Sequence, residues 1–333
     1  MFRCLQAPPP LRIDLTDSDE EEAANSAKRA RLTAAAPTGG LCQARRIRED
    51  LDIWVIPRFA QQVLGFDPAG LMLSLQRYPT VGKDDCIEPH VVQWVSGENK
   101  ALSYRGRPVK RTKIWLQRGD PEAVGIRRYL YTGWSWNIAP ATADVASCLE
   151  VLNVADAYDA WVQQEGYPKA NHYIVTEYVD GDHHIGFHYD RPRSIAAASL
   201  ITVVKTGAHG RPFQLRDLVR ARNDRDEDLG AMHARHKREM QQSTPEGKSE
   251  LKGRQEAERD ALKKSQERLQ NSTAPFFDEV LEPGTAVIMT LEANLRTQHG
   301  VPEVDDSGPS GSLVFRTITE IVQPGTRTVR SYA

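Results

Sequence analysis

Between residues 172 and 322 the apolar residues arrive in short runs: "HYIVTEYV", "HIGFHY", "SLITVVKT", "PFQL", "TAVIMTL" and "SLVFRTITEIV". Each run has strand length, carries β-branched or aromatic residues, and is bounded by Gly, Pro or Asp turns. Short strands cut this often close into a sandwich or jelly roll, because a sheet edge or face left open to water is unstable. One earlier stretch has another period. In "PATADVASCLEVLNVADAYDAWVQQEG", Val145, Leu149, Leu152, Val154, Tyr158 and Trp161 form a roughly helical stripe that ends at Gly166. The expected fold is therefore α+β, a jelly-roll core with N-terminal helices packed outside it.

A charged segment interrupts the strands. Residues 222–272 are rich in helix formers, and "STPEGKS" divides them into two helices, a helical-hairpin insertion. Its apolar seam (Leu229, Met232, Met240, Leu251, Leu262, Leu269) is thin, so the hairpin is expected to protrude, with His233 and His236 as a solvated pair. Residues 1–46 hold "QAPPP" and the acidic "DSDEEE" and have little to bury, which predicts a disordered tail. Ile13 and Leu15 precede the acidic run at strand spacing, resembling a SUMO-interacting motif over Ile13–Glu22. "AKRAR" and "ARRIR" resemble a nuclear localisation signal. The folded part is expected over 47–325, with a short tail at 326–333.

No run of eighteen apolar residues is present, so no membrane span is expected. The first residues lack the pattern of a secretory signal. Cys4, Cys42, Cys86 and Cys148 are scattered, which argues against a disulfide framework or a thiolate zinc site and fits a reducing compartment. With 43 basic and 45 acidic residues, overall charge does not mark a nucleic-acid binder. Its distribution does. Residues 100–128 carry nine basic and two acidic residues, a local charge of +7. Tyr104, Trp115, Tyr129, Tyr131, Trp134 and Trp136 interleave with or follow them. Cations for phosphates and rings for bases are what nucleic-acid grooves use, and Lys110, Arg111, Lys113, Tyr129 and Tyr131 are the candidate contacts.

"DGDHHIGFHYDRP" at residues 180–192 concentrates three histidines and three aspartates. On a strand, residues i and i+2 share a face, so His188 and Asp190 present an imidazole beside a carboxylate. His184 could share that face, although Gly186 and the preceding turn make its geometry less regular. A distant histidine is needed as a third ligand. His209 sits in a turn and His233 and His236 lie in the charged segment, which leaves His299, between two apolar runs. Two histidines and a carboxylate with three open positions are the arrangement of non-haem iron(II) oxygenases. A 2-oxo acid filling two of those positions needs a cation for its far carboxylate. Arg316, the lone arginine between His299 and Arg327, stands inside an apolar run.

Taken in order, "YLYTG", "NHYIVTEYVDGDHHIGFHYD", "GRPFQLR", "LEPGTAVIM", "QHGVP" and "SLVFR" make the chain resemble an AlkB-type iron(II)/2-oxoglutarate dioxygenase of the eukaryotic DNA-repair branch. The resemblance spans roughly residues 50–325. It implies a double-stranded β-helix, Fe(II) on His188, Asp190 and His299, and 2-oxoglutarate and O2 as cosubstrates. Arg316, Tyr178 and Thr176 would contact 2-oxoglutarate, Thr176 standing where the family has asparagine. It also implies that the basic stretch is a nucleotide lid and that "YLY" meets a flipped base. Departures are visible: "SGSLVFR" keeps one of the family's two arginines, with Ser310 or Gly311 at the other position. In another register Arg316 is the first arginine and Val322 stands at the second. Arg191 and Pro192 replace acids that often follow the HxD pair. The expected activity is oxidative removal of methyl or alkyl groups from nucleic-acid bases by a nuclear monomer, with DNA ahead of RNA. The rivals are hydroxylation of 5-methylpyrimidines, as in the TET and J-binding-protein groups, and a non-catalytic nuclear interaction module.

Overall fold

The computed structural model describes residues 44–81, 91–96, 103–104, 107–118, 143–190, 195–305, 307–318, 320–322 and 329–331. Ile13–Glu22, "AKRAR", Tyr129, Tyr131, Arg191 and Pro192 lie outside the described residues. "ARRIR" (44–48), by contrast, is not part of a disordered tail. Arg45–Arg46 pair with the strand Ile53–Ile56, and Arg45, Arg46 and Arg48 are ion-paired with Glu279, Asp52 and Asp50.

The strands are β1 (Arg45–Arg46), β2 (Ile53–Ile56), β3 (Val95–Ser96), β4 (Ser103–Tyr104), β5 (Arg107–Pro108), β6 (Thr112–Gln117), β7 (Ala143–Asp144), β8 (His172–Tyr178) and β9 (Ile185–His188). After them come β10 (Leu200–Gly207), β11 (Arg211–Asp217), β12 (Phe277–Leu281), β13 (Ala286–Thr290), β14 (Thr297–Val301), β15 (Ser310–Arg316), β16 (Glu320–Val322) and β17 (Val329–Ser331). A larger sheet runs β1-β2-β13-β10-β15-β8-β6-β3, antiparallel throughout apart from β7, which joins β6 in parallel. A smaller antiparallel sheet runs β12-β11-β14-β9.

The larger sheet is covered on both faces, which is why β10 and β15 are buried at every position. Tyr173 and Val175 of β8, Leu313 and Phe315 of β15, and Leu200 and Val204 of β10 point to one side. There they meet the helices Phe59–Gln62 (α1), Pro68–Leu75 (α2) and Leu149–Gln164 (α3). Tyr158 of α3 stacks on Phe315 with ring centroids 4.1 Å apart, and its hydroxyl lies 2.8 Å from that of Thr202. Ile174, Tyr178, Ile201, Val203 and Val314 face the other way, into one cluster with Phe213, Leu215 and Val301 of the smaller sheet.

Two expectations are corrected here. Val145 belongs to a separate 3-10 turn, and α3 begins at Leu149, which is 61% exposed. Val154, Tyr158 and Trp161 of the expected stripe are buried, but Val151, Ala155 and Val162 complete that face in place of the exposed Leu149 and the half-buried Leu152. The basic stretch, expected as a nucleotide lid, is also not a lid throughout. Its residues 112–117 form β6, paired with β8 inside the larger sheet, since Ile114 and Leu116 have a core to enter.

Between β11 and β12 lie two further helices, α4 (Leu229–Gln242) and α5 (Gly247–Ser272). Met232 and Leu262 are their buried apolar contact. The rest is polar. Arg235 joins Glu227, Glu239 and Glu258, and Gln255 reaches Glu239. His236 is buried with its Nε2 2.9 Å from Glu258, so it is not the solvated residue expected; a facing carboxylate on α5 encloses it. Gln266 and Gln270 of α5 hydrogen bond the backbone of Asp217, Val219 and Ala221, holding the chain that leaves β11. Among the described residues no helix is long and apolar enough to cross a membrane.

Candidate metal centre

On the inner face of a sheet covered on both sides, the polar residues stand out. Register aligns Lys205 of β10, Ser312 of β15, Thr176 of β8 and Lys113 of β6 in one row across four strands. Val203, Val314, Ile174 and Trp115 form the next row, and Arg316 and His172 belong to the one beyond. Burial of a charge without a partner is costly, so a row of cations inside a core needs an explanation. All of these residues except Trp115 and His172 line a single cavity, and the opposite wall is built by His188, Asp190, His299 and Phe213.

The triad comes from two paired strands. His299 of β14 stands directly across from His188 of β9, and Asp190 follows two residues after β9 ends. One ligand atom from each of the three lies within 4.8 Å of the others. The His188 and His299 ring centroids are 4.3 Å apart, and Phe213 lies nearly parallel to the His299 ring. His188 Nδ1 lies 2.9 Å from the carbonyl of Gly186, a contact that only a protonated nitrogen can make. The tautomer is thereby set with Nε2 as the free lone pair. Asp190 Oδ2 and His299 Nδ1 are buried without a hydrogen-bond partner. Burial holds both imidazoles below the usual histidine range, His188 strongly, which keeps them neutral and able to bind a cation. Burial pushes the Asp190 carboxyl up, but Arg316 and the two histidines outweigh it and the net effect is a lowered value. Neutral imidazoles, an ionised carboxylate and orphaned buried lone pairs fit a divalent metal such as iron(II).

The neighbouring histidines are differently employed. His183 is 1% exposed, and its Nδ1 accepts the Val179 backbone N–H at 3.1 Å. His184 lies 2.9 Å from Glu303 at the rim. Thr176, Tyr178 and Arg316 line the cavity with the triad, and burial raises the Tyr178 hydroxyl to about 12. Arg316 places its guanidinium 2.6 Å from Asp190 Oδ1, at the metal end of the cavity. The three candidate lid cations separate: Lys110 is exposed beside Asp182, Arg111 donates to the carbonyl of His184, and Lys113 lines the cavity. Burial, with the charges of Arg111 and Arg316, holds Lys113 well below its usual range.

Three residues of this region were not singled out from sequence. Asn294, in the helix Leu291–Arg296 (α6), accepts the Asp190 backbone N–H at 2.8 Å and donates to the Asp190 carbonyl at 2.6 Å. Arg211, 0% exposed, donates to the carbonyls of Asp180, Gly181, His183 and Pro302, tying the turn before β9 to the chain after β14. Lys205 lines the cavity and is considered below. Lys205 could have been found by the reasoning that found Arg316, a cation inside the apolar run "SLITVVKT". Asn294 gave no signal, since its partner is 104 residues away.

No protein-family model and no curated protein sequence matches the chain. Solved structures do. One, "The structure of OsALKBH1", an AlkB homologue, is 11% identical with a TM-score of 0.37, covering 82% of this chain and 99% of that one. A prolyl-4-hydroxylase from Pseudomonas putida is 11% identical with a TM-score of 0.33, covering 80% and 93%. At this depth the likeness is one of overall arrangement, and what the site does has to come from its own geometry.

Proposed function

We propose that the chain is an iron(II)/2-oxoglutarate dioxygenase that oxidises methyl or alkyl groups on nucleic-acid bases, in the nucleus, and that its two sheets form a double-stranded β-helix. The observation that carries the chemistry is the cross-strand triad His188, Asp190 and His299, facing a cavity whose other wall is rich in cations. Two imidazoles and one carboxylate leave coordination positions for a bidentate 2-oxo acid and for O2. Iron bound there would supply the oxidant: R–CH3, O2 and 2-oxoglutarate become R–CH2OH, succinate and CO2. On an N-methyl group the hydroxymethyl product falls apart to formaldehyde and the free base nitrogen.

The chain's own residues set the conditions. Gly186 orients His188, Asn294 fixes the backbone of Asp190, and Arg316 keeps the Asp190 carboxylate ionised. Ile174, Val203, Val314 and Phe213 make the intervening wall apolar and limit water near the reacting atoms. A non-catalytic module has no use for three convergent ligands, two of them buried with unpaired atoms. The nucleic-acid substrate is supported by the excess of basic over acidic residues at 100–128, of which Lys110 is exposed while Lys113 and Trp115 are committed to the cavity wall and the core. DNA, a SUMO-bearing partner for Ile13–Glu22, and the monomeric state belong to the same proposal.

The test is incubation with Fe(II), 2-oxoglutarate and a panel of N-methylated and 5-methylated oligonucleotides, with formaldehyde, succinate and base products read by mass spectrometry. Formaldehyde and unmodified base are expected. A stable hydroxymethylpyrimidine without formaldehyde would move the assignment to the 5-methylpyrimidine reading, and no succinate under any condition would end both.

A further inference from the structure

We infer that Lys205, rather than Arg316, takes the distal carboxylate of the 2-oxo acid, and so sets the preference for a dicarboxylic cosubstrate. This rests on the dioxygenase reading of the same cavity.

Lys205 is 1% exposed, and its Nζ has no hydrogen-bond partner among the described residues. Its nearest compensation is the face of the Tyr178 ring, 5.5 Å from Nζ to the centroid. A ring face offers a cation far less than an anion does when both are desolvated. Burial and the charge of Arg211 accordingly bring the ammonium down to about 7. An amine enclosed in this way gains most from an anion that arrives in the cavity it lines, taking up a proton with it.

Position selects which anion. Arg316 and Ser312 lie on the same face of β15, four residues apart, or about 13 Å along the strand. Lys205 pairs across from Ser312, so it sits at the end of the cavity away from the Asp190–Arg316 pair. Arg316 is already committed to a carboxylate, and withdrawing it would leave Asp190 buried without its cation. A five-carbon diacid separates its end carbons by about 5 Å when extended. Chelating at the triad with one end, it spans toward the lysine, whose four methylenes cover the remainder. Thr176 and Ser312, in the same row as Lys205, offer hydroxyls to the carboxylate oxygens. A 2-oxo acid ending in a methyl group would leave Lys205 with only the face of the Tyr178 ring.

The full chain loaded with Mn(II) in place of iron is titrated calorimetrically with 2-oxoglutarate and with 2-oxopentanoate, which has the same length and no distal carboxylate. A charge-assisted bond of this kind corresponds to about 10–100-fold in affinity. Lys205→Met should lose that factor for 2-oxoglutarate, leave 2-oxopentanoate binding within about threefold, and keep Mn(II) affinity. Lys205→Arg should recover part of it. At pH 8 the parent should take up a proton on binding 2-oxoglutarate, seen as a buffer-dependent enthalpy that Lys205→Met lacks. If Lys205→Met does not fold, Lys205→Gln carries the comparison. Unchanged 2-oxoglutarate affinity in a folded variant overturns the inference while leaving the dioxygenase reading intact, as does loss of the discrimination in Arg316→Met alone. A parent chain that binds Mn(II) but no 2-oxoglutarate overturns both.

Discussion

Asn294 and Asp190 exchange two backbone-directed hydrogen bonds, and their consequence is felt at the metal. Residues that orient a ligand without touching the ion commonly alter metal affinity 10–100-fold. Asn294→Ala should therefore weaken Mn(II) or Fe(II) binding by about that factor, measured by competition with a chelator, while each of His188→Ala, Asp190→Ala and His299→Ala removes tight binding altogether. His183→Ala separates structure from ligation. It deletes a buried acceptor for Val179 N–H, costing about 1–3 kcal/mol in urea unfolding, yet should still bind metal. Metal loss in His183→Ala with retention in His188→Ala would reverse the assignment of ligands.

The helices α4 and α5 enter and leave through neighbouring strands, for Leu215 of β11 and Phe277 of β12 are paired. Strands so joined tolerate a short turn, because their register is set by the sheet and not by the connection. Replacing residues 222–272 with a short Asn-Gly-containing turn should leave the metal affinity within about threefold of the parent and lower stability by a modest amount. The exposed carbonyls and N–H groups of Asp217, Val219 and Ala221, now held by Gln266 and Gln270, would pass to water. A trimmed chain unable to bind Mn(II) would show that the hairpin supports the site, with Arg216 the obvious route: it donates to the Gln270 carbonyl and to Gln298, and stacks 4.0 Å from Phe187.

Across the molecule, the two-sheet arrangement encloses the Lys205 side chain in its interior. Lys205 has an ordinary value of 10.5 and is lowered to about 7 by burial. Between those values the unfolded chain holds a proton that the folded chain does not. Folding stability from this group therefore rises as pH increases from about 7 toward 10, with a limiting slope of about 1.4 kcal/mol per pH unit. Subtracting the urea stability of Lys205→Met from that of the parent across pH 7–9 should show that slope, with the variant the more stable at pH 7. Saturating 2-oxoglutarate with Mn(II) should reduce the difference, since the charged ammonium is then paired. A flat difference curve would mean that Lys205 is solvated in the folded chain.

Much of this architecture could be read from local pattern. The period-two runs located most central strands, and the spacing of His188 and Asp190 marked a shared strand end, because alternation is a property of one strand and needs no partner. His299 followed by elimination among few histidines. Cations inside apolar runs are legible too, Lys205 in "SLITVVKT" as much as Arg316 in "SLVFR". What sequence could not supply was direction and neighbourhood. Whether Lys113 belongs to a lid or a wall depended on β6 pairing with β8, and the partner of Arg316 was decided by the approach of two sheets. The short turn before α3 kept Val145 out of the helix, and the burial of Val151 in place of Leu149 and Leu152 is a difference periodicity alone does not resolve. Asn294 could acquire its role only when α6 packed beside a loop 104 residues distant. Sequence determines which residues a strand offers to each face; the tertiary structure decides what stands opposite, because pairing and burial join groups that no local spacing relates.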